Sequence, residues 1–389
     1  MKKTSILLLI QLSLIPLLCF TNQNAAKEEA VININLDETI DRIYYSAFFS
    51  DYEIILLENN NESVIGKISD IKFYKNKFYI HDSRYSKSVF IFSLQGKFLK
   101  KIGSLGKGPG EYISTLDFEI DTLNNELIIL SYEKLLIYNL EGEYKKTINL
   151  EFPANDLICF GNRIYLYPFA SIKEHHPDFC AFSINRKGKD LKTYLKFPLH
   201  KKGYFRDAII GTPGFLFRTH NAVRLTIPFC DTIFTLYEEH ASPYIIFESK
   251  DLLNNEYMSS NFENSENQYM GINKLLESKK ITAYHHYGEN NSLIYLNYFI
   301  SHNRYYLLYN KHTTKTFCSS IFVDDLTNIY PILINLTNQY MIGYLPLRYV
   351  HKYKDDILKL LNESDKKNFI DDLSGSKFNP IVFLFKLKQ

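Results

Sequence analysis

A fixed spacing of three glycines constrains the fold more than any other feature of this sequence. Gly96, Gly142 and Gly188 follow one another at intervals of 46 residues, in the contexts LQGK, LEGE and RKGK. Each stands between two short apolar runs, where a tight hairpin turn needs a residue that tolerates positive φ. A period of about 40–50 residues is typical of the blades of a β-propeller.

The apolar runs beside these turns have the alternation and composition of β-strands. In SVFIFSL, Val89 and Ile91 point to one side and Phe90 and Phe92 to the other. Because both sides are apolar, we expect both faces of the sheet to be covered, as in a blade between two neighbours. The chain has 30 Tyr and 29 Phe, which also favours strands.

We therefore predict an all-β fold, a β-propeller of four-stranded antiparallel blades. About 360 residues at roughly 46–60 per blade give six or seven blades. Two stretches break the pattern. The segment from Asp251 to Lys280 is polar and rich in Asn, which predicts an insertion. In the segment from Tyr353 to Leu373, the residues Ile357, Leu360 and Leu361 form one helical stripe, which predicts a short surface helix near the C-terminus.

The N-terminal segment has the layout of an export signal. Residues 1–20 begin with Lys2 and Lys3 and continue as an apolar run. Such a run is short for a membrane span, which needs about 20 apolar residues, and is typical of a signal peptide. We interpret residues 21–30 as a linker and residues 31–389 as a single propeller domain.

Cys19 ends the apolar run and is the predicted lipidation site of a lipoprotein. Its flanks differ from the usual pattern, since Leu18 and Pro16 stand where a small and an aliphatic residue are typical. Simple cleavage near Ala25 and Ala26 is the alternative. A lipid anchor would hold the folded domain at a membrane of the cell envelope without spanning it.

Charge and cysteine content limit the partners of the chain. The net charge of +2 gives no electrostatic reason to expect nucleic acid or an anionic membrane surface as a partner. A membrane partner is therefore expected only through the lipid anchor. We interpret the four cysteines after Cys19 as small buried hydrophobic residues, and their disulfide state is open. They are Cys159, Cys180, Cys230 and Cys318.

The stretch KIGSLGKGPGEY is the most unusual local motif. It contains four glycines in eight residues, namely Gly103, Gly106, Gly108 and Gly110. We interpret it as the crossover from the outer strand of one blade to the inner strand of the next, where the backbone passes close to its neighbours. Glu111 is expected to accept hydrogen bonds from loop amides, and Tyr112 is expected to anchor the loop in the core.

The same loop supplies the candidate binding residues. An amide-rich loop can hold an anion, so Lys107, Gly108, Gly110, Glu111 and Tyr112 are possible ligand contacts. The sequence departs from both phosphate-binding signatures, because Pro109 follows Gly108 and Glu111 stands where the dinucleotide motif has glycine. We therefore favour a structural role for this loop over a binding role, and we predict no cofactor for the protein.

Other polar motifs give no catalytic or metal signature. His175, His176 and Asp178 are close in sequence, but adjacent side chains of an extended chain point in opposite directions and rarely share an ion. His81 and Asp82 end a strand, where Asp usually binds the amides of the following turn. The chain has no G-x-S-x-G nucleophile motif. We predict neither a metal site nor a set of catalytic residues.

These residues resemble a known group of proteins. The stretches VFIFSLQGKFLKKIGSLGKGPGEY, IGKISDIKFYKNKFYIHD, DTIF and NPIVFLFKLK are similar to those of the six-bladed β-propeller lipoproteins of gut Bacteroidetes, which are themselves similar to NHL-repeat propellers. The resemblance runs from Val31 to Lys388. It implies six blades and a location in the cell envelope, and it implies no established activity.

Two functions are compatible with these features. The first, which we favour, is a noncatalytic envelope module that binds a glycan, a peptide or an envelope protein on one propeller face. The abundant Tyr could stack on sugars, although the absence of Trp weakens the glycan version. The alternative is a metal-dependent hydrolase or lyase that uses the central channel, and it rests on analogy of fold.

Overall fold

The computed structural model describes most of the chain. The described residues are 29–168, 179–196, 216–227, 230–252, 277–374 and 378–388. Residues 1–28 with Cys19, the histidines His175 and His176, Asp178 and most of the Asn-rich segment from Asp251 to Lys280 therefore lie outside them. Within the described ranges, no helix is long and apolar enough to cross a membrane.

Strands dominate the described residues. In the N-terminal part they are β1 (Ile32–Asn35), β2 (Ile43–Tyr44), β3 (Phe49–Leu56), β4 (Asp70–Tyr74), β5 (Lys77–Asp82), β6 (Ser88–Ser93), β7 (Phe98–Ile102), β8 (Ser104–Leu105), β9 (Glu111–Tyr112), β10 (Asp117–Asp121), β11 (Glu126–Ser131), β12 (Lys134–Asn139), β13 (Tyr144–Asn149) and β14 (Ala154–Phe160). In the C-terminal part they are β15 (Arg163–Pro168), β16 (Phe179–Asn185), β17 (Lys192–Lys196), β18 (Leu216–Arg218), β19 (Val223–Thr226), β20 (Thr232–Leu236), β21 (Ala241–Glu248), β22 (Ile281–Glu289), β23 (Leu293–Ile300), β24 (Asn303–Asn310), β25 (Lys315–Ser319), β26 (Phe322–Val323), β27 (Ile332–Leu336), β28 (Tyr340–Leu345) and β29 (Ile381–Leu387). The helices are α1 (Leu347–Val350), α2 (Lys354–Leu360) and α3 (Glu363–Ser374).

Six sheets form the six blades of a β-propeller, which confirms the predicted fold. Blades 1, 2, 3 and 5 are β4–β7, β10–β13, β14–β17 and β22–β25, and each consists of four antiparallel strands. Blade 4 contains β18–β21, and blade 6 contains β27–β29 with β3. Blade 4 differs from the prediction, because β1 adds to its outer edge as a fifth strand, parallel to β21.

The repeated glycines occupy equivalent turns between the third and fourth strands of blades 1, 2 and 3. Gly96, Gly142 and Gly188 have φ of +79°, +78° and +74°. Each donates its N–H to the carbonyl three residues earlier, at 2.9–3.0 Å. A Cβ on each would touch the outer strand of the preceding blade, at Leu56, Ile102 and Ile148 respectively. The 46-residue period therefore marks both a turn and a contact between blades.

The two faces of each strand pack in two different cores, as the alternation predicted. Val89 and Ile91 of blade 1 are buried against Phe118 of blade 2. Phe90 and Phe92, on the opposite face, are buried in the core shared with blade 6. Each blade is thus held by apolar contacts with both neighbours, and burial of apolar surface is the main source of its stability.

The two ends of the chain close the ring in blade 6. There β3, from the N-terminal part, pairs antiparallel with β29 from the C-terminal part. Asn379, just before β29, fixes this junction. Its Oδ1 accepts the N–H of Ile65 at 2.9 Å, and its Nδ2 donates to the carbonyls of Glu58 and Ser63, both at 2.9 Å.

The segment before β3 crosses the edges of blades 4 and 5. Arg224 of blade 4 forms an ion pair with Glu29, and its Nη2 lies 3.1 Å from Glu29 Oε1. Further along, Ile40 donates its N–H to Cys318 of blade 5 at 2.8 Å, and β2 pairs with β26. We call residues 29–48 the N-terminal strap.

Three helices lie between β28 and β29, where one short surface helix was predicted. Ile357, Leu361 and Phe369 are buried in the core of blades 5 and 6, so the buried face of the predicted segment includes Phe369 as well as the predicted stripe. The chain is extended at Leu361, which ends α2. Asn362 then accepts the N–H of Asp365 at 3.0 Å and begins α3.

Substitution of a turn glycine tests the contact between blades. A Cβ at Gly96 would lie 2.0 Å from the carbonyl oxygen of Leu56, whereas a Cβ at Gly161, also at positive φ, meets nothing within 4 Å. We expect Gly161→Ala to cost about 1 kcal/mol of unfolding free energy from backbone strain alone. Gly96→Ala should cost about 3 kcal/mol, because strain and overpacking add. Chemical denaturation measures the unfolding free energy of both variants. Equal losses of unfolding free energy would contradict the predicted contact between blades at Gly96.

Candidate functional site

A central cavity runs along the propeller axis. Its volume is about 1210 Å³, and the innermost strand of every blade contributes to its wall. One residue from each of these strands illustrates this, in blade order Lys72, Glu119, Asp156, Phe217, Gly288 and Ile334. We call the face where the innermost strands begin the upper face, and the face where they end the lower face.

Polar side chains near the upper face join the innermost strands of neighbouring blades. Asp117 Oδ2 accepts the N–H of Leu157 at 2.9 Å, and Asp156 Oδ2 accepts the N–H of Leu216 at 2.7 Å. Each carboxyl therefore reaches the next blade around the axis. Neighbouring blades have no main-chain hydrogen-bond ladder between their described strands, and these side-chain hydrogen bonds link the blades instead.

Asp117 and Asp156 also bind each other. Burial raises the pKa of Asp117 well above its usual value, and the hydrogen-bonded Asp156 carboxyl raises it further, while Lys72 acts in the opposite direction. Two carboxyls in hydrogen-bond contact cannot both be ionised at low cost. Ionisation of one carboxyl therefore opposes ionisation of the other.

A chain of ion pairs continues down the cavity wall. Lys72 Nζ lies 2.7 Å from Glu119 Oε2 and 3.4 Å from Asp70 Oδ2. Glu119 Oε1 lies 3.2 Å from Nη1 of Arg218, in blade 4. Burial would lower the pKa of Lys72, but Glu119 and Asp70 outweigh burial and raise it, so the ammonium stays charged.

His81 lies in the same wall without a hydrogen bond at its Nε2 atom. The residue is 1% exposed and lines the cavity beside Lys72 and Asp70. Burial lowers the pKa of His81 to about 4, against the opposite effect of Asp70 and Asp82. The imidazole is therefore neutral near neutral pH, and its buried Nε2 atom has no hydrogen-bond partner among the described residues.

Asp82 fulfils the structural role predicted for it. Its carboxylate accepts N–H groups of the residues around two turns, which are Gly66, Lys67, Arg84, Tyr85 and Ser86. Burial would raise the pKa of Asp82, but these donors outweigh burial and lower it. Of the two residues that end this strand, Asp82 therefore binds the turns and His81 lines the cavity.

Two arginines line the opposite side of the upper mouth. Arg304 begins β24 of blade 5, and Arg348 lies in α1, next to blade 6. Both act on the hydroxyl of Tyr344 and lower its pKa, although burial raises that pKa overall. Within the part of the chain that the structure describes, neither arginine has a carboxylate within ion-pair distance, in contrast to Lys72 and Arg218.

A buried carboxylate, that of Glu289, lies at the lower end of the cavity and accepts several hydrogen bonds. Glu289 accepts hydrogen bonds from Nε of Arg224 at 2.8 Å, from the Tyr244 hydroxyl at 2.6 Å and from the Tyr287 hydroxyl at 2.7 Å. Lys311 pairs with it as well. Burial would raise the pKa of Glu289, but Arg224 and Lys311 outweigh burial and lower it to about 2.

Acid titration tests this network. The low pKa of Glu289 in the folded state stabilises the fold above pH 4.5, and the contribution disappears as the pH falls toward 2. We expect Glu289→Gln to be less stable than the unsubstituted protein by roughly 3 kcal/mol at pH 7 and nearly equal to it at pH 2. Glu363→Gln, at an exposed pair with Lys366, is the control and should show no such pH-dependent difference. A difference in unfolding free energy between Glu289→Gln and the unsubstituted protein that stays constant with pH would contradict the low pKa of Glu289.

The glycine-rich loop has the architecture predicted for it. It returns from the end of β7 through the parallel pair β8 and β9 toward β10. Gly108 donates its N–H to Glu111 Oε2 at 2.7 Å, and Tyr112 is buried between blades 1 and 2. A Cβ at Gly106 would lie 2.0 Å from Glu111 Oε2, so a larger residue there would displace the Glu111 carboxylate.

The candidate binding residues of this loop lie apart from the described cavity wall. None of Lys107, Gly108, Gly110, Glu111 and Tyr112 is among its lining residues. The carboxylate of Glu111 faces the loop amides and occupies the place that an anion would take. A binding role for this loop stays a prediction.

Sequence reasoning missed the charged residues of the cavity. A signal was present, because Asp70, Asp117 and Asp156 each begin or nearly begin an innermost strand and each precedes a buried apolar residue. The recurrence of Asp at this position in three successive blades marks the upper mouth. Lys72, Glu119 and Arg218 have no comparable pattern, since their partners are distant in sequence.

The described part of the chain contains four cysteines and no cluster of metal ligands. The four cysteines there are thiols rather than disulfides, and three are buried, as expected for small hydrophobic residues. Burial raises the pKa of Cys159 to about 12, so it is not a reactive thiol. Among the residues whose positions are described, no three His, Cys, Asp or Glu side chains are arranged to hold a metal ion.

Comparison with solved structures supports the fold. A protein of Bacteroides fragilis that carries the description of an exported protein is similar over 92% of this chain and 100% of its own, with a TM-score of 0.75 at 18% identity. A member of the DUF4221 family from Bacteroides vulgatus covers 88% of this chain and 98% of its own, with a TM-score of 0.49 at 12% identity. At 18% identity the likeness to the Bacteroides fragilis protein concerns the fold alone.

Sequence comparison places the chain in a family. No curated protein matches it. The model of the family described as Domain of unknown function (DUF4934) matches residues 30–386, which is nearly the whole chain. The chain therefore belongs to the DUF4934 family.

Proposed function

We propose that the protein is an exported, lipid-anchored binding module of the cell envelope that holds a glycan, a peptide or a segment of an envelope protein in the upper mouth of its central cavity. The binding role is noncatalytic. The observation behind this proposal is the cavity itself, because its wall is formed by every blade and its charges are fixed by neighbouring side chains.

Rigidity makes this cavity suitable for binding. Lys72, Glu119 and Arg218 belong to three different blades and hold one another in place. Polar groups that are fixed before a ligand arrives lose little conformational freedom when it binds. Concave sites with a few well-placed polar groups among apolar residues are the usual form of a ligand site, and Ile332 and Ile334 supply apolar wall here.

Export and anchoring rest on the N-terminal sequence. The layout of residues 1–20 is that of a signal peptide, and Cys19 stands where a lipoprotein carries its lipid. The Bacteroides fragilis relative is described as exported, which agrees with this proposal. The resemblance to NHL-like propeller lipoproteins agrees with it as well. Labelling with a radioactive or clickable fatty acid tests it, and a Cys19→Ser variant should lose the label.

The positions of the carboxyl groups favour binding over metal-dependent hydrolysis. Asp117 and Asp156 each accept a main-chain N–H, and Glu119 is held between Lys72 and Arg218. A catalytic metal needs several carboxylates or imidazoles that converge on one open position. The described carboxylates of the cavity are directed at their neighbours instead.

A variant that fills the cavity tests the proposal. Ile334 lines the cavity at the middle of β27, and Ile334→Trp would occupy part of its volume. Isothermal titration and thermal shift should compare neutral hexasaccharides, tetrapeptides and soluble envelope glycans as probes. We expect at least one class to bind stoichiometrically to the unsubstituted protein and to lose roughly tenfold or more in affinity with Ile334→Trp.

Ile113→Trp is the matched control, because Ile113 is 72% exposed and is not part of the described cavity wall. It should leave binding unchanged. The proposal fails if no probe binds, or if both variants bind equally well. Turnover of a bound probe, or a stoichiometric metal in the purified protein by elemental analysis, would favour the hydrolase alternative.

A further inference from the structure

We infer that the ligand of the upper mouth is a small zwitterion, namely a short peptide with a free amino group and a free carboxylate. This inference rests on the proposed function and specifies the chemistry of the same site. The amino group would bind the acceptors on blades 1–3, and the carboxylate would bind the arginines on the side of blades 5 and 6.

The wall on blades 1–3 is rich in hydrogen-bond acceptors. Asp70, Asp117 and Asp156 bring carboxyl groups to the upper mouth. Asn155 adds a buried side-chain oxygen that no described group contacts. Lys72 is already held by Glu119 and Asp70, so it offers little to a ligand. Each of these three Asp carboxyls has lone pairs beyond those that its neighbours use, so an ammonium group with its three donors can still bind this wall.

His81 is the independent sign of a missing partner. A buried nitrogen without a hydrogen bond typically costs about 1–3 kcal/mol, and such atoms are rare in folded proteins. His81 Nε2 is buried, has no partner among the described residues and belongs to a residue that lines the cavity. Because this atom has almost no accessible surface, a ligand in the upper mouth would supply the partner only after neighbouring side chains move.

The opposite side of the mouth has positive charge without a described counter-ion. Arg304 and Arg348 both lie close enough to Tyr344 to affect its hydroxyl, so they share one side of the mouth. The Tyr344 hydroxyl donates to the carbonyl of Ile68 at 3.3 Å and is therefore occupied. A guanidinium group offers a fork of donors that matches a carboxylate.

The separation of the two kinds of charge selects the ligand class. Deeper in the same cavity, Lys72, Glu119 and Arg218 neutralise one another by direct pairing. Arg304 and Arg348 have no such pairing within the described chain, although carboxyls line the same mouth. A polyanion would be repelled by Asp70, Asp117 and Asp156, and a neutral glycan would leave both arginines without a counter-ion. A molecule with one charge of each sign fits both walls.

Four forms of one peptide test the inference directly. The probes are tetra-alanine with free termini, its N-acetylated form, its C-amidated form and the form with both ends blocked. We expect titration calorimetry to show the tightest binding for the free peptide and a loss of roughly tenfold or more for each blocked end, since a hydrogen bond to a charged group has about that effect on affinity.

Variants assign each end to its wall. Asp117→Asn keeps an acceptor for Leu157 and should abolish the preference for a free amino group. Arg304→Gln combined with Arg348→Gln should abolish the preference for a free carboxylate. Arg84→Gln, on an exposed residue outside the described cavity wall, is the control and should change neither preference. Thermal melting of each variant shows whether it is folded, and the arginine variants keep the test valid if Asp117→Asn is unstable.

The outcomes separate the inference from the proposal on which it depends. If the four peptides bind equally or not at all while a neutral hexasaccharide binds in a manner sensitive to Ile334→Trp, the inference is wrong and the proposed function stands. If neither peptides nor saccharides bind at millimolar concentration, both are wrong. Preference for free termini that survives all three cavity substitutions would also overturn the inference, because the site would lie elsewhere.

Discussion

Neighbouring blades of this propeller belong to separate sheets, so side-chain packing between blades must hold the ring together. The apolar faces of the strands supply most of this packing, since each blade presents one face to each neighbour. The turn glycines Gly96, Gly142 and Gly188 allow the outer hairpins to approach the preceding blade. At the axis, where the strands converge, the carboxyls of Asp117 and Asp156 bind the next blade directly.

A ring held in this way depends on its closure, because an open ring would expose two apolar blade faces. The pairing of β3 with β29 joins the two ends of the chain within one blade. Asn379 fixes the segment that follows β3 with hydrogen bonds at both of its amide atoms. The N-terminal strap adds β1 to blade 4 and an ion pair between Glu29 and Arg224. Closure therefore involves three consecutive blades.

The local parts of this architecture could be predicted from sequence, and the parts that join distant residues could not. The period of the glycines, the alternation at residues 88–93 and the role of Asp82 all depend on neighbours within one turn or one hairpin. The fifth strand of blade 4 depends on a pairing between Ile32 and Ile245, for which no local signal exists. The contacts of Glu119 with Lys72 and with Arg218 also have no local signal in the sequence. They join residues of three different blades, which are close only in the folded ring.

Some polar groups of the cavity take no part in the contacts that hold the ring together. Removal of charged groups from water costs several kcal/mol per ion, and apolar residues of similar size often serve stability equally well. The same innermost strands already present apolar side chains to the cavity, as Ile120, Ile158 and Ile334 show. The Nε2 atom of His81, which has no hydrogen-bond partner among the described residues, and the arginines of the upper mouth add polarity that the contacts between blades do not use. Under the binding role that we propose, a partner with complementary charges would give these residues a physical reason to be there.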